Sequence, residues 1–558
     1  MKIYSYLFIG MLSLILCTSC DKDLEAINNS PNQPTEVTTS GLFNNTNKEL
    51  MTRTRRGMPS GRMALPWIQY SAQRNYTAED RYQFRNEVNN SLYTDLFLAV
   101  KGYKQIIDIV TDPSQKEKVL AYGDPANQLA AARIMIAYAQ LQLVDMYGDV
   151  PYYSYATKDP DFQAMTLGTE HEITTPKFAP QEKIYTDLMN ELKEAAASIN
   201  MEAANVFSDG DFLFGSPLKL KKFANSLRLR IANRVKNVLP IAQTHIAELI
   251  ANTAELMVSN LDNVGQKFQN DPVKPAPFYL DAFVGKRNDF SPTNTFVELL
   301  KGETKTMQVN PFAEIIDPRL FKMVAPTSQQ VTDDKGKTSE VMLAFYYDSS
   351  KASEPCIEKN NYVTRIPEFY IGMPIGLTDA YTGSQAGYAS QFSGTIYKAD
   401  NTEIVMEYAE VAFILAELGV NPQENYTKGI QASMEKWEVS EVDIADYLKK
   451  MTVVNVETIL TQKYIALFLQ PYEAWAEYRR TKYPKTLLLP GQTHELIAPG
   501  PQQQTTYTFN AANGLIDLPE RITYPTDLNL VNKVNKDAAS ARIGGSHEFQ
   551  INLGTIIF

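Results

Sequence analysis

The sequence predicts a mostly α-helical protein whose helices flank an irregular middle. Before residue 260 and again after residue 400, apolar residues recur every three or four positions, as they do in amphipathic helices. Residues 260–400 are instead rich in Pro, Gly, Asn, Asp and Ser, with only short apolar segments such as Val341 to Tyr347. This composition favours a loop-rich lobe that contains small β-elements.

Four helices are expected in the first half of the chain. One runs from about Asn86 to Asp108, where apolar residues keep a helical spacing. In the next, Asp124 can cap the N-terminus, proline suits the first turn, and Gly148 ends the helix. Two more are expected over residues 183–199 and 218–238. These four helices make up the first part of a helical scaffold, at about 86–258.

Helical spacing returns after the lobe. It covers Ile404 to Leu418, Tyr426 to Trp437 and Ile459 to Leu467, and it resumes after Pro471 as far as Tyr478. The second part of the scaffold is therefore expected at about 402–482, with the loop-rich lobe at about 260–400 between the two parts.

The N-terminus has the pattern of a lipoprotein export signal. Lys2 precedes an apolar run from Leu7 to Leu16 that is too short to span a bilayer, and small residues lead to Cys20. We expect residues 1–19 to be removed, Cys20 to carry lipid including an acyl chain such as palmitate, and residues 20–40 to tether the body, 41–558. The alternative is an ordinary secretory signal in which Cys20 has no special role.

Composition and motifs narrow the possible functions. The 558 residues carry a formal net charge of −11, which argues against binding to nucleic acid or to anionic lipid. The sequence lacks the His-Glu-x-x-His, Gly-x-Ser-x-Gly and Cys/His patterns of common catalytic and metal sites. We therefore expect no catalysis, no cofactor and no metal. Acidic pairs that could hydrolyse glycosidic bonds remain an open alternative, because spacing along the chain does not give their distance in space.

Aromatic and amide side chains are mixed in one N-terminal segment. Aromatic faces stack on the C–H patches of sugars, while amide and guanidinium groups donate hydrogen bonds to hydroxyls. The alternative is that these rings only wedge the segment onto the helices. The candidate ligand-binding residues are Trp67, Tyr70, Asn75, Tyr76, Arg81 and Tyr82, and a second pool in the lobe comprises Tyr279, Tyr362, Phe369, Tyr370, Tyr381 and Tyr388.

Several charged residues are expected to serve the fold. Asp149, directly after Gly148, is expected to bond nearby backbone, and neither Asp145 nor Asp149 is expected to hold a metal or ligand. Asp317, Pro318 and Arg319 are expected to form a turn closed by charge. The arginines of the scaffold are expected to pair with Glu407 and Glu410 or with helix C-termini. These arginines are Arg228, Arg230, Arg479 and Arg480.

A set of segments, in the same order along nearly the whole chain, resembles the SusD/RagB family of surface lipoproteins. The resemblance implies a right-handed scaffold of four stacked helix-turn-helix pairs, similar to tetratricopeptide repeats, with loops and short strands on one side. It also implies a nutrient-binding protein that covers a SusC-like TonB-dependent transporter in the outer membrane. The segments are 131–152, 222–230, 317–320, 371–376, 407–417, 426–437, 462–481 and 518–525.

Together these observations predict a lipid-anchored outer-membrane protein, facing the cell exterior, that binds an oligosaccharide and passes it to the transporter without catalysis. Two alternatives stay open. One is a peptide-binding member of the same family, and the other is a surface glycan hydrolase.

Overall fold

A computed structural model describes residues 37–271, 273–287, 289–303, 309–332, 336–342 and 365–544. Cys20, most of the expected tether, Tyr362 and the apolar segment after Met342 lie outside these ranges. Within them the protein is about half helical, with small strand pairs, which confirms the predicted mostly α-helical class.

Helices of the first half pack in sequence. Helix α1 lies against α3, α3 against α5, α5 against α6, α6 against α7, and α7 against α8. The four predicted helices correspond to α3, α5, α6 and α7. The helices of this half are α1 Thr39–Arg55, α2 Leu65–Trp67, α3 Asn86–Thr111, α4 Lys116–Ala121, α5 Pro125–Tyr147, α6 Gln181–Ala197, α7 Pro217–Val235 and α8 Ile241–Ile250.

Short helices mark the lobe, and a second helical group follows it. In that group α13 packs on α14 and α16, while α7 contacts α13 and so joins the two groups. The lobe contains α9 Pro277–Tyr279, α10 Asn294–Lys301, α11 Leu320–Met323 and α12 Asp379–Ala386. The second group contains α13 Tyr408–Glu417, α14 Pro422–Lys436, α15 Glu441–Leu448, α16 Val456–Ala466 and α17 Pro471–Thr481, and α18 Leu528–Val531 and α19 Lys533–Arg542 come last.

The strands pair two by two, and each pair is antiparallel. The pair β1/β3 joins the N-terminal segment to the lobe, and β2/β6 joins the two ends of the lobe. The strands are β1 Ser71–Gln73, β2 Val264–Lys267, β3 Phe290–Pro292, β4 Ser328–Thr332, β5 Thr338–Met342, β6 Thr402–Met406, β7 Thr493–Glu495 and β8 Thr506–Thr508.

Two expected boundaries are wrong. The expected tether ends too late, because Thr39 and Ser40 already belong to α1 and are buried. The helix expected from Ile404 begins only at Tyr408, because the preceding residues form β6 and hydrogen-bond to β2. The alternating residues of β6 and the first turn of α13 together resemble one continuous helical spacing.

Buried ion pairs connect the helices. Arg230 of α7 donates through Nε to Glu410 of α13 at 2.6 Å, and both side chains are almost fully buried. Arg234, one turn later, contacts Asp145 of α5 and Glu473 of α17. The expectation that these groups serve the fold is confirmed, and Arg479 donates to the Asp145 carbonyl near the C-terminus of α5 at 2.7 Å, as expected. The expected partners are wrong for two arginines, because Arg228 binds Glu248 and Arg480 binds Glu417 and Glu477. Glu407 takes Lys436 as its partner, and Arg319 binds Asp317.

Candidate functional site

Three of the six predicted ligand-binding residues lie in the core. Trp67 and Tyr70 have no exposed surface, and Tyr82 has 1% of its surface exposed. A ring without an exposed face cannot stack on a ligand that arrives from solution. The prediction that these three rings contact a ligand is therefore wrong, and the structural alternative explains them.

Their contacts show what they do instead. The Trp67 ring lies edge-on to Trp475 of α17, with 5.1 Å between ring centroids, and its Nε1 donates to the Glu79 carbonyl at 3.2 Å. Tyr70 stacks on Tyr464 of α16 at 4.6 Å. These rings fix the N-terminal segment to the second helical group. They therefore also fix the loop that follows Tyr70 in the chain.

Tyr76 is presented to solvent on that loop. Its side chain is 56% exposed, and its φ of 60° is a left-handed conformation that is uncommon for a residue with a side chain. The guanidinium carbons of Arg62 and Arg287 lie 5.3 and 5.6 Å from the ring centroid, within the range of cation–π attraction. Asp289 binds both arginines, at 3.0 and 2.9 Å. An exposed ring thus lies beside two guanidinium groups that one carboxylate positions.

The loop is fastened on both sides of Tyr76. Before it, β1 pairs with β3, and the Arg74 amide donates to the Asp289 carbonyl at 2.6 Å. After it, the amide and hydroxyl of Thr77 both donate to the Asp379 carboxylate, at 2.9 and 3.1 Å. Asn75, next to Tyr76, is exposed. The two exposed side chains therefore project from a backbone with few degrees of freedom.

Two further tyrosines continue this surface. Tyr381 of α12 and Tyr507 of β8 meet edge to face at 4.9 Å, and both are half-buried. Burial raises the pKa of Tyr507, and the positive charge of Arg81 acts against that rise. Gly500 leaves room for this arrangement, because a Cβ there would stand 2.7 Å from Cε1 of Tyr381.

We name this surface the Tyr76 face. It is built by the loop 74–82, by α12, by the hairpin β7/β8 and by the arginines beside Tyr76. Four of its members were not predicted from the sequence. Arg62 lies just before the predicted segment, and Arg287, Asp379 and Tyr507 are far from it in the chain. The Tyr76 face comprises Arg62, Asn75, Tyr76, Arg81, Arg287, Asp379, Tyr381 and Tyr507.

The second pool of aromatic residues divides in a similar way. Tyr381 belongs to the Tyr76 face and Tyr370 is buried. Tyr279 and Phe369 are half-buried, and Tyr388 is 54% exposed.

Buried acidic groups support the loop from below. Asp80 is 1% exposed, accepts hydrogen bonds from the backbone amide of Gln73 at 2.8 Å and from its side chain at 3.1 Å, and has a pKa that burial raises to about 7. Glu79 beside it accepts from Gln73 and binds Arg85. In the described ranges no group of three or more His, Cys, Asp or Glu side chains is arranged to hold a metal ion.

A larger cavity than any beside this loop lies elsewhere in the described part of the chain. A groove of about 930 Å³ runs between α3, the loop 151–176 and α18. Its walls are mainly apolar and include Phe97, Leu98, Leu167 and Val531, with Lys101 and Asp108 at its edge. We call it the apolar groove. It shares no lining residue with the Tyr76 face.

The architecture is that of two groups of packed helices joined by a loop-rich lobe with small strand pairs. Among the described helices, none combines the length and the apolar character required for a membrane span. Residues 31–500 match the family model SusD-like_2, described as "Starch-binding associating with outer membrane", and residues 449–553 match the SusD-like model, described as "Susd and RagB outer membrane lipoprotein". The first match covers well over half of the chain, so the chain belongs to the SusD-like family.

Solved structures with the same fold agree with this assignment. A chitin-binding protein aligns with a TM-score of 0.67 and 20% identity over 92% of this chain and 98% of its own. A chitin-binding SusD homolog from Flavobacterium johnsoniae gives 0.64 and 19% over 92% and 97%. A SusD homolog from Bacteroides uniformis gives 0.63 and 19% over 92% and 99%. No curated protein sequence is significantly similar to this chain.

Proposed function

We propose that this protein is a surface lipoprotein that binds a glycan through the Tyr76 face and delivers it to a TonB-dependent transporter without catalysis. One observation carries the choice of site: an exposed aromatic ring lies beside two guanidinium groups that bind one carboxylate. The family description as starch-binding and the chitin-binding names of two structural neighbours support a carbohydrate as the ligand.

The chemistry of the face suits a sugar chain. The Tyr76 ring offers an apolar surface for sugar C–H groups. Arg287, Arg81 and Asn75 offer N–H donors to hydroxyls, and the amide oxygen of Asn75 offers an acceptor. Tyr381 and Tyr507 extend the surface, so more than one sugar unit can be contacted. Since Asp289 and Asp379 hold the loop in place, little conformational entropy is lost on binding.

The anchor and the partner complete the proposal. Two or more acyl chains on Cys20 would hold the protein stably at the membrane. A transporter in the same membrane then meets the bound glycan at a high effective concentration, so capture alone increases delivery. Replacing Cys20 by Ala should release the protein into the soluble fraction of labelled cells, and acyl labelling that persists in this variant would contradict the anchor.

Titration calorimetry with chitin and starch oligosaccharides tests the site. Tyr76→Ala should weaken binding by about tenfold or more, equivalent to about 1.4 kcal/mol. The matched control is Phe212→Ala, which removes a ring that is 58% exposed in the loop before α7. Equal affinity of Tyr76→Ala and the control would overturn the site. Sustained release of reducing ends by the wild-type protein would overturn the absence of catalysis and favour the hydrolase alternative.

The apolar groove favours peptide binding as a second candidate function. Its exposed Leu98 and Leu167 suit apolar peptide side chains better than hydroxyls. Peptides that bind the wild-type protein and Tyr76→Ala equally, but lose affinity for Leu98→Asp, would establish this alternative.

A further inference from the structure

A smaller cavity lies where strand β6 meets the ends of two scaffold helices. Its volume is about 190 Å³, and it is bordered by the loop 395–401, by the last residues of α14 and by the segment that follows α16. We call it the Glu403 pocket. The residues that line it include Asn401, Glu403, Lys436, Trp437, Phe468 and Gln470. None of them belongs to the Tyr76 face.

Glu403 is an unusual residue for such a position. It is 6% exposed, and no described residue makes a hydrogen bond to its carboxyl. Burial raises its pKa to about 7, and the positive charge of Arg55 opposes this rise only in part. A buried polar group without a partner is costly, and native proteins rarely keep one without a reason. The carboxyl therefore lacks a hydrogen-bond donor that a ligand can supply.

A second polar group at the wall also lacks a partner. Trp437 is 8% exposed, and its indole Nε1 makes no hydrogen bond within the described part of the chain. Its ring lies 5.8 Å from that of Phe468, so the two rings give the pocket an apolar side. The pocket thus combines a carboxyl acceptor with an aromatic wall.

Lys436 argues against a cationic ligand. Its ammonium lies 5.4 Å from the centroid of the Trp437 ring and pairs with Glu407 at 2.6 Å. The cation–π position on this ring is therefore occupied by the protein's own charge, and a second cation in the pocket would be repelled by it.

We propose that the Glu403 pocket binds one neutral, polyhydroxylated ring the size of a single sugar unit, whose hydroxyls donate to the Glu403 carboxyl and whose C–H groups pack on the aromatic wall. The size agrees, because a protein cavity of about 150 Å³ holds a six-membered ring. The proposal rests on the proposed function for the class of ligand, and it adds a second binding position for that class, separate from the Tyr76 face.

Ligand-observed NMR with glucose, N-acetylglucosamine and tetramethylammonium, each titrated singly, tests the proposal. Glu403→Met removes the acceptor with little change in length, and it should weaken sugar binding at least tenfold. Trp437→Phe reduces the aromatic wall to a smaller ring, and it should weaken binding by a smaller factor. The matched control is Glu441→Met, which changes an exposed Glu at the start of α15 and should bind as the wild type does.

The outcomes separate this proposal from the proposed function. Sugar binding that is lost in Glu403→Met but kept in Tyr76→Ala supports the pocket. Equal sugar binding by Glu403→Met and wild type, or no binding of a single sugar by wild type, overturns it, while oligosaccharide binding that depends on Tyr76 still stands. If tetramethylammonium binds but the two sugars do not, and this binding is lost in Glu403→Met, the proposal of a neutral ligand is overturned. Should Glu403→Met fail to fold, as thermal unfolding would show, Trp437→Phe decides by the same criteria.

Discussion

The pair formed by Arg230 and Glu410 should contribute to stability in a way that a double-mutant cycle can measure. The two side chains, on α7 and α13, are 3% and 0% exposed, and their contact joins the two helical groups. Burial alone would lower the pKa of Arg230, but the adjacent carboxylates of Glu410 and Glu473 reverse this and raise it. The guanidinium is therefore charged at all working pH values.

Arg230→Met keeps most of the packing volume but leaves the Glu410 carboxylate buried without its bidentate partner. Removal of one member of a buried pair costs about 3–5 kcal/mol. Arg230→Met with Glu410→Leu removes both charges, and replacement by apolar residues is close to neutral, so most of the lost stability should return. The cycle should therefore give a coupling free energy of about 3 kcal/mol or more.

Urea unfolding of the mature chain, followed by circular dichroism, measures these differences. The control is Lys428→Met, which breaks a solvent-exposed pair with Glu424 on α14 and should cost no more than about 0.5 kcal/mol. The reasoning would be refuted if Arg230→Met matched this control. It would also fail if the double variant were no more stable than Arg230→Met.

Two further predictions concern the loop that carries Tyr76. Asp80 has a folded pKa of about 7, above its ordinary value of 3.8, so the folded state holds an extra proton between these values and wild-type stability falls as pH rises from about 4 to about 7. Asp80→Asn should gain stability relative to wild type over this window, by at most about 4 kcal/mol, and a pH-independent difference between the two unfolding midpoints would contradict this. Trp67→Ala should cost about 3–5 kcal/mol of stability, because its ring is fully buried; a tenfold loss of glycan affinity at unchanged stability would restore Trp67 as a contact residue.

The predicted helices with a clear apolar stripe are present, but α1 was missed for a physical reason. Its buried face includes Thr46, Asn47 and Thr54, so its sequence shows no apolar period. Most of these polar groups are satisfied locally or across the interface: the hydroxyls of Thr46 and Thr54 donate to carbonyls one turn earlier, and Oδ1 of Asn47 accepts from Tyr103. Hydrophobic spacing cannot reveal a helix that is buried through hydrogen-bonded polar side chains.

Sequence spacing is equally limited in predicting which residues form the candidate site. Trp67 and Tyr76 are both aromatic residues of one polar segment, and nothing in their spacing says which is exposed. The difference arises because Trp475 covers the first ring, while Arg62 and Arg287 hold the second at the surface. Each of these neighbours contacts its ring through the fold, from 14 to about 400 positions away in the chain. The composition of the segment indicates the correct loop, but tertiary contacts determine which of its aromatic residues are exposed.

The dependence of the Tyr76 face on distant segments separates two kinds of mutational effect. The Asp379 carboxylate binds the loop directly, and the Asp289 carboxylate binds the two arginines beside Tyr76. Replacing either residue changes the surroundings of the ring and should alter affinity itself. The buried pair of Arg230 and Glu410 has no contact with the face and should alter only the fraction of folded protein. A variant that lowers glycan capture on cells therefore identifies a ligand contact only if the purified, folded protein shows the same loss of affinity.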